Sequence, residues 1–282
     1  MPRPPETVML TALALLAFAF NSILTRMALG GGHIDAASFT TVRLASGALV
    51  LAVLARVQTR AWVPLRGHGV VGPLALFAYA APFSFAYQRI GAAAGALLVF
   101  GAVQLTMIGG GIVAGERPRL RTWLGLVLAA VGLAWLTLPA VGRPDPVGSA
   151  LMILAGCAWG VYSLAGRRSP DALASNARNF VWTVPLALLL DALVVRSTTV
   201  SARGVGLGLV SGAITSGLGY AIWYRALRGL TATRAAILQL SVPVIAALGA
   251  IVLLDERLTA RLVLAGAVVL GGLCLALADR KG

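Results

Sequence analysis

The sequence predicts an all-α integral membrane protein with ten transmembrane helices, arranged as two inverted five-helix repeats around a central cavity. Of its 282 residues, 59% are hydrophobic and only 11% are charged, and the mean hydropathy is +0.90. A soluble domain carries about a quarter charged residues. The apolar residues also form blocks of roughly 20, the length that a helix needs to cross the hydrocarbon of a bilayer. Finally, the chain repeats itself after about half its length.

The apolar blocks predict the positions of the ten helices. The first block follows Arg3, and because it is longer than the core of a signal peptide we expect it to stay in the mature chain. Cys157 and Cys274 fall inside apolar blocks, where a free thiol behaves as a small hydrophobic side chain. The predicted helices are 8–29, 37–56, 68–88, 92–114, 121–140, 147–166, 174–195, 204–224, 230–253 and 260–278.

An internal repeat predicts how the two halves are related. A shift of 140 residues places Glu116 on Glu256 and Arg117 on Arg257. Each half then holds five segments, which is an odd number, so the second copy must enter the membrane upside down relative to the first. Inverted repeats of this kind place a binding site near the midplane, between the halves. The predicted units are 1–142 and 143–282.

The net charge of +14 predicts membrane orientation, not a nucleic-acid partner, because the basic residues lie mostly in links without interleaved aromatic residues. Placing both termini in the cytoplasm puts the larger basic set inside. The inside links hold Arg3, Arg56, Arg60, Arg66, Arg117, Arg119, Arg121, Arg167, Arg168, Arg225, Arg228, Arg280 and Lys281, and the outside links hold Arg26, Arg89, Arg143, Arg196, Arg203, Arg257 and Arg261. The preference for arginine over lysine indicates a bacterial genome, so we expect the bacterial inner membrane.

Aromatic side chains in the middle of predicted helices indicate a lined interior. A Tyr or Trp away from the membrane interfaces needs a hydrogen-bond partner, which an internal cavity provides. Any one of these residues could instead serve ordinary helix packing. Two mid-membrane amides, Asn21 and Gln239, could orient a ligand or join two helices. The aromatic candidates are Tyr79, Phe83, Phe100, Trp159 and Tyr220.

Charged residues inside the segments are few. Arg43 and Arg178 fall near the starts of segments two and seven, one in each half. An intramembrane arginine is a functional candidate by default, but both are close enough to segment ends that we expect them to extend to an interface. Asp191 is the only acidic residue well inside a segment, so a proton relay is not predicted. Small residues at four-residue steps in segment eight predict close helix packing: Gly204, Gly208, Gly212 and Ser216.

The residues predict no enzyme, no metal site and no cofactor. His33 and His68 are the only histidines, and they lie far apart without metal-ligand spacing. No nucleotide-binding or hydrolase motif is present in the sequence. Glu116 and the pair Asp255-Glu256 occupy repeat-related links, where we interpret them as helix caps.

Several short motifs, in the order in which they occur, resemble the EamA family of the drug/metabolite transporter superfamily. That resemblance covers nearly the whole chain and implies helices 1–4 and 6–9 around a central cavity, with helices 5 and 10 as scaffold. One departure is that Val103 stands where the second half has Pro243, so the halves need not bend alike. The motifs are Phe20-Asn21, Ala158-Trp159-Gly160, Ala236-Ile237-Leu238 with Leu240-Ser241-Val242-Pro243, and Glu116-Arg117 with Asp255-Glu256-Arg257-Leu258.

Within that family, the aromatic residues resemble the aromatic amino acid exporter branch. The predicted function is therefore export of small metabolites, amino acids with aromatic ones preferred, by alternating access. Membrane lipids surround the chain, a monomer is compatible with the sequence, and the predicted substrate-binding residues are Asn21, Tyr79, Phe83, Phe100, Trp159, Tyr220 and Gln239. One alternative keeps the fold but carries phosphorylated or nucleotide-linked metabolites on Arg43 and Arg178. A remoter alternative is an intramembrane enzyme.

Overall fold

The computed structural model describes residues 4–60, 62, 69–138, 145–194, 199–254 and 257–278. Each of the ten predicted segments coincides with a helix in it, which confirms the predicted fold class. Within the described ranges, nine helices are long and apolar enough to cross a membrane, and the tenth, at 17 residues, is a shorter apolar helix.

The helices are α1 (Pro4–Thr25, continuing as the π-helical turn Arg26–Gly30), α2 (Ala36–Thr59), α3 (Val71–Tyr87), α4 (Ala92–Val113), α5 (Leu120–Thr137), α6 (Pro146–Arg167), α7 (Ala172–Val194), α8 (Ala202–Leu227), α9 (Ala232–Leu253) and α10 (Ala260–Leu277). Their starts follow from capping chemistry, since a side-chain oxygen before the helix accepts a backbone N–H that would otherwise lack a partner. Asp35 caps α2, Asp145 caps α6 and Thr259 caps α10 in this way.

The packing of the helices has the symmetry of the repeat. When each helix is exchanged with the one five positions away, the pair α3–α6 becomes α8–α1, α4–α6 becomes α9–α1, and α3–α7 becomes α8–α2. The pairs α2–α7, α4–α9 and α5–α10 map onto themselves, and all of these pairs are in contact. The arrangement is thus two inverted five-helix repeats, in which α5 and α10 pack against each other beside the two four-helix blocks.

The bundle has two ends, because successive helices run in opposite directions. One end, which we call the terminal end because α1 starts there, contains the starts of α1 and α9 and the ends of α4 and α6. Glu6 pairs with Arg225 at this end. The opposite end, which we call the mouth end, contains the ends of α1, α3 and α9 and the start of α4. At the mouth end Ile34 forms a short antiparallel bridge with Val200, and Arg89 pairs with Asp145.

Six of the basic link residues lie outside the described residues: Arg3, Arg66, Arg143, Arg196, Arg280 and Lys281.

The small residues of α8 pack directly on α2 and on the link before it, which confirms the predicted close packing. A Cβ on Gly204 would lie 2.4 Å from the carbonyl oxygen of His33, and one on Gly212 would lie 2.1 Å from the carbonyl oxygen of Arg43. The middle of α8, Ser211–Leu218, is π-helical. Such wide turns frequently occur at functional sites.

The two halves bend differently, as the difference between Val103 and Pro243 predicts. Helix α4 runs without interruption through Val103, whereas α9 is interrupted between Gln239 and Val242. Proline cannot donate a backbone hydrogen bond to the preceding turn. The break therefore falls immediately before Pro243, next to Gln239.

The contact between α5 and α10 provides a test of the scaffold. A Cβ on Gly272 would lie 2.6 Å from both the backbone nitrogen of Ala129 and the carbonyl oxygen of Gly125, whereas one on Gly271 meets nothing within 4 Å. We expect Gly272→Ala to lower the free energy of unfolding by about 1–3 kcal/mol, since backbone must move to relieve the overlap. The measurement is the thermal unfolding midpoint of the purified protein in detergent. Gly271→Ala is the matched control and should not lower the midpoint; equal midpoints for the two variants would refute a tight seam.

Candidate functional site

A cavity of about 310 Å³ lies inside the bundle and is lined by side chains of α1, α3, α4, α5, α6, α8 and α9. It extends to the mouth end, where Arg26, Tyr87, Ala92 and Ala250 lie close to the ends of their helices. The structure brings all seven sequence-predicted site residues to this cavity: Asn21, Tyr79, Phe83, Phe100, Trp159, Tyr220 and Gln239.

Five ring side chains form the deep wall of the cavity, and we call them the aromatic cluster: Phe18, Tyr79, Phe83, Trp159 and Tyr220. The Trp159 ring lies at the centre, with centroid distances of 5.2 Å to Phe18, 5.0 Å to Tyr79 and 4.6 Å to Tyr220. These separations and tilts are the favourable ones for interacting aromatic rings. The wall is consequently a closely packed set of rings that borders the cavity.

Gln239 fixes the orientation of Trp159. The indole Nε1–H donates to Oε1 of Gln239 at 2.6 Å, and Nε2 of Gln239 donates to the sulfur of Met107 and to the carbonyl oxygen of Ala235. Both ends of the amide are therefore engaged within the protein. The sequence left open whether Gln239 orients a ligand or joins two helices. In the structure, its bond to Trp159 joins α9 to α6.

Asn21 joins α1 to the π-helical part of α8. Its Oδ1 accepts hydrogen bonds from the hydroxyls of Ser211 at 2.8 Å and Thr215 at 3.1 Å, and Ser216 lies at 3.5 Å. The side chain is almost fully buried but still borders the cavity. Because its oxygen is held by α8, the group that Asn21 can offer to a ligand is its N–H₂ donor.

Arg43 is buried behind the aromatic cluster with 1% of its surface exposed. Its Nε donates to Ser216 at 2.8 Å, and its Nη2 donates to the hydroxyls of Tyr220 at 2.5 Å and Tyr79 at 3.3 Å. Nη1 has no hydrogen-bond partner in the described part of the chain. The guanidinium also lies 5.4 Å from the centroid of the Tyr79 ring.

The expectation that Arg43 extends to the membrane interface is wrong. Arg43 lies on the face of α2 that packs against α8, where Gly212 closely approaches its backbone. The side chain consequently points into the bundle. Arg178, its counterpart in the second half, is partly exposed near the terminal end and donates to Ser175. It does not border the cavity.

Two arginines lie at or next to the cavity. Arg26 lies at its mouth and Arg43 directly behind its deep wall, and the described lining residues include no Asp or Glu. Among the described lining residues a ligand with only a positive charge would meet no counterion, whereas the nearby guanidinium of Arg43 could pair with a carboxylate or another anion. The described residues also contain no group of three His, Cys, Asp or Glu that could hold a metal ion. His33 lies in the α1–α2 link, and His68 lies outside the described residues.

Glu116 closes the terminal end below the cavity. Its Oε1 accepts the backbone N–H of Ala232 at 2.6 Å, and its Oε2 accepts the backbone N–H of Thr233 at 2.9 Å and the hydroxyl of Thr233 at 2.7 Å. Arg167, at the end of α6, pairs with Oε1 at 3.1 Å. Glu116 therefore caps a helix, but the helix is α9 of the other half. The repeat-related pair Asp255-Glu256 lies outside the described residues.

The electrostatics of Glu116 follow from these contacts. Burial acts to raise the pKa of this carboxyl, but the donors of Thr233 and Ala232 and the charge of Arg167 outweigh burial and hold the pKa below its ordinary value. A carboxylate at the start of a helix is further favoured by the helix dipole.

Phe18 was not among the predicted site residues, and the position of Arg43 was predicted incorrectly. Phe18 contacts Trp159, Tyr220 and Trp223 edge to face. Its position at the cavity could have been found from the sequence, because Phe18 lies three residues before Asn21 on the same helix face. Arg43 was singled out as a charge but was expected at the interface. Its packing against α8 depends on the facing helix, which a single segment does not reveal.

Comparisons with known proteins agree with this architecture. A profile of the EamA-like transporter family matches residues 6–138 and 146–278. The chain is 50% identical to an uncharacterized protein of Pseudomonas aeruginosa over 98% of this chain and 96% of that one. It is 28% identical to the uncharacterized transporter YwfM of Bacillus subtilis over 95% and 93% of the two chains.

Two further matches are more limited in what they show. The chain is 30% identical to the threonine/homoserine exporter RhtA of Escherichia coli, over 59% of this chain and 57% of that one. A crystal structure with a TM-score of 0.85 covers 99% of this chain and 100% of its own at 20% identity, which shows a shared fold.

The capping contacts of Glu116 predict a pH dependence of stability. Because the pKa of the folded state is depressed, ionised Glu116 stabilises the protein above the ordinary glutamate pKa of about 4.3, and that contribution is lost as pH falls through the folded value. We expect Glu116→Gln to lower the thermal midpoint at pH 7 and to converge on the wild type only as pH falls below the depressed pKa of Glu116 in the folded protein. Glu6→Gln, which breaks the exposed pair with Arg225, is the control and should change the midpoint much less. A constant difference between Glu116→Gln and wild type at every pH would contradict the assignment.

Proposed function

The chain belongs to the EamA-like transporter family, and on that premise we propose that it exports amino acids, aromatic ones preferentially, by alternating access. It is a multi-pass membrane transporter and not an enzyme. The proposed substrate rests on the cavity, the proposed export on the relative RhtA, and the proposed orientation on the charges of the links.

One observation carries the proposal: the cavity combines an aromatic wall with the guanidinium of Arg43 directly behind that wall, and it has no acidic residue among its described lining side chains. An aromatic amino acid presents a planar ring and a carboxylate, and each has a complement here. The ring would stack in the aromatic cluster, where Trp159 is held by Gln239. The head group would contact Asn21 and the tyrosine hydroxyls. The volume of about 310 Å³ is at the small end of ligand pockets, which suits a single amino acid.

The relatives support the amino acid class without fixing the side chain. RhtA is a threonine/homoserine exporter that matches part of this chain. The aromatic preference rests on Trp159, Phe83, Tyr79 and Phe100 bordering one space. The phosphorylated-metabolite alternative receives less support, because Arg178, one of its two candidate donors, does not border the cavity.

The charges of the links support an orientation of the cavity in the membrane. If the basic links face the cytoplasm, both termini lie inside and the mouth end faces outward. The cavity would then be open to the outside, with the Glu116 contacts closing the inside. The proposed units 1–142 and 143–282 would move relative to each other to reverse this access. All lining residues come from one chain, so we propose that a monomer is a complete carrier in the bacterial inner membrane.

Counterflow in proteoliposomes tests the substrate. We expect saturable exchange of Trp, Phe or Tyr, and in Trp159→Ala a half-saturation concentration for these substrates raised about five- to tenfold, since lost ring contacts cost about 1 kcal/mol. Threonine should be affected less. Trp123→Ala, which changes a 40% exposed tryptophan on α5, is the control. Equal losses for aromatic and small substrates would rule out the proposed pocket, and no exchange of any amino acid by folded protein would rule out the substrate class.

Cysteine labelling tests the orientation. In a background with Cys157→Ser and Cys274→Ser, we expect Ala247→Cys, which borders the cavity near the mouth end, to react with a membrane-impermeant maleimide in intact cells. Ala114→Cys, exposed at the terminal end, should react only after permeabilisation. The reverse pattern would place the termini outside.

A further inference from the structure

We propose that Arg43 is the carboxylate anchor of the cavity, and that an anionic carboxylate is the feature the site requires of its substrate. This inference rests on the proposed function in that it names the chemistry of the same cavity. Its basis is the charge of Arg43, which has no counterion among the described residues.

In the described part of the chain, the hydrogen-bond partners of the buried Arg43 charge are all neutral groups. Its hydrogen-bond partners are the hydroxyls of Ser216, Tyr220 and Tyr79, and no Asp or Glu within the described ranges pairs with it. A charge in a membrane interior is costly unless it is paired and hydrogen-bonded. A carboxylate ligand would supply both the counterion and the missing hydrogen bond.

The geometry of the guanidinium leaves room for such a ligand. Nη1 is buried and has no partner among the described residues, and the neighbouring Nη2 donates to Tyr220 at 2.5 Å and makes a second, long bond of 3.3 Å to the Tyr79 hydroxyl. Both tyrosines border the cavity, so Arg43 is one hydroxyl away from the lumen. If the Tyr79 hydroxyl swings away, Nη1 and Nη2 together present the two parallel N–H donors that match a carboxylate. Tyr220 and Ser216 hold the rest of the guanidinium in place.

The second half of the chain does not duplicate this anchor. Arg178 is the seventh residue of α7 and Arg43 the eighth of α2, so the two arginines occupy similar positions in the repeat. Arg178 is partly exposed and donates to Ser175. The carboxylate would therefore bind on one side of the cavity only, between α2, α3 and α8, which fixes the direction in which the ring extends.

The test compares L-phenylalanine with one ligand that lacks its carboxylate and one that lacks its amine. Purified full-length protein in detergent is titrated with L-phenylalanine, with 2-phenylethylamine, which lacks the carboxylate, and with 3-phenylpropionate, which lacks the amine; binding is read from ligand-induced thermal stabilisation. We expect wild-type protein to bind the two carboxylates at least about tenfold more tightly than the amine, because hydrogen bonds to charged groups are the strong ones.

Variants then assign that preference to Arg43. Arg43→Gln should lose the carboxylate preference, binding L-phenylalanine and 2-phenylethylamine within about twofold of each other, whereas Arg43→Lys should keep part of it. Arg178→Gln is the matched control and should behave as wild type. A structural role for Arg43 would instead weaken all three ligands alike. If Arg43→Gln does not fold, the comparison in wild-type protein and Arg43→Lys still decides.

The outcomes separate this inference from the proposed function. Tight binding of L-phenylalanine that is indifferent to loss of the carboxylate would overturn the anchor and leave amino acid export standing. Binding of 3-phenylpropionate but not of any amino acid would support the anchor and overturn amino acid export. A wild type that binds none of the carboxylates would overturn both.

Discussion

The structure depends on one constraint, which is that polar groups inside a membrane protein must find their partners on other helices. The site is built from those partnerships. Trp159 on α6 bonds to Gln239 on α9, and Asn21 on α1 bonds to Ser211 on α8. Each hydrogen bond thus satisfies a buried group and fixes the relative position of two helices that border the cavity. Loss of either partner would leave an unpaired polar group in an apolar interior.

The glycines of α8 make the most buried of these partnerships geometrically possible. Gly212 allows α8 to approach the backbone of Arg43 so closely that a side chain there would overlap it. At that separation the guanidinium reaches Ser216, one turn along α8, and Tyr220, one turn further. Close packing and polar chemistry are therefore coupled, since the small residues that reduce the distance between helices also determine which hydroxyls surround the charge.

Most of the architecture could be predicted from the sequence because the relevant signals are local. Hydrophobic length gives the helices, and the half-chain repeat with its odd number of segments gives the inverted relation of the two halves. Residues such as Tyr79 and Trp159 could be placed at the cavity because mid-membrane polar rings need partners. The position of Arg43 could not be predicted, since distance along a helix gives depth in the membrane but not the facing neighbour. For the same reason, the mutual bond of Gln239 and Trp159 required the packed structure.

The repeat is symmetric in its packing but not in its chemistry, and that difference bears on mechanism. Exchanging the halves maps the helix contacts onto themselves, as a carrier with two equivalent access states requires. Yet α9 is interrupted before Pro243, whereas α4 continues through Val103. Of the two arginines at similar positions in the repeat, Arg43 is buried and Arg178 is partly exposed. A substrate that pairs with Arg43 would remain attached to the first half while the second half moves around it. The symmetric scaffold would then provide the motion, and the asymmetric residues would keep the substrate in one orientation throughout it.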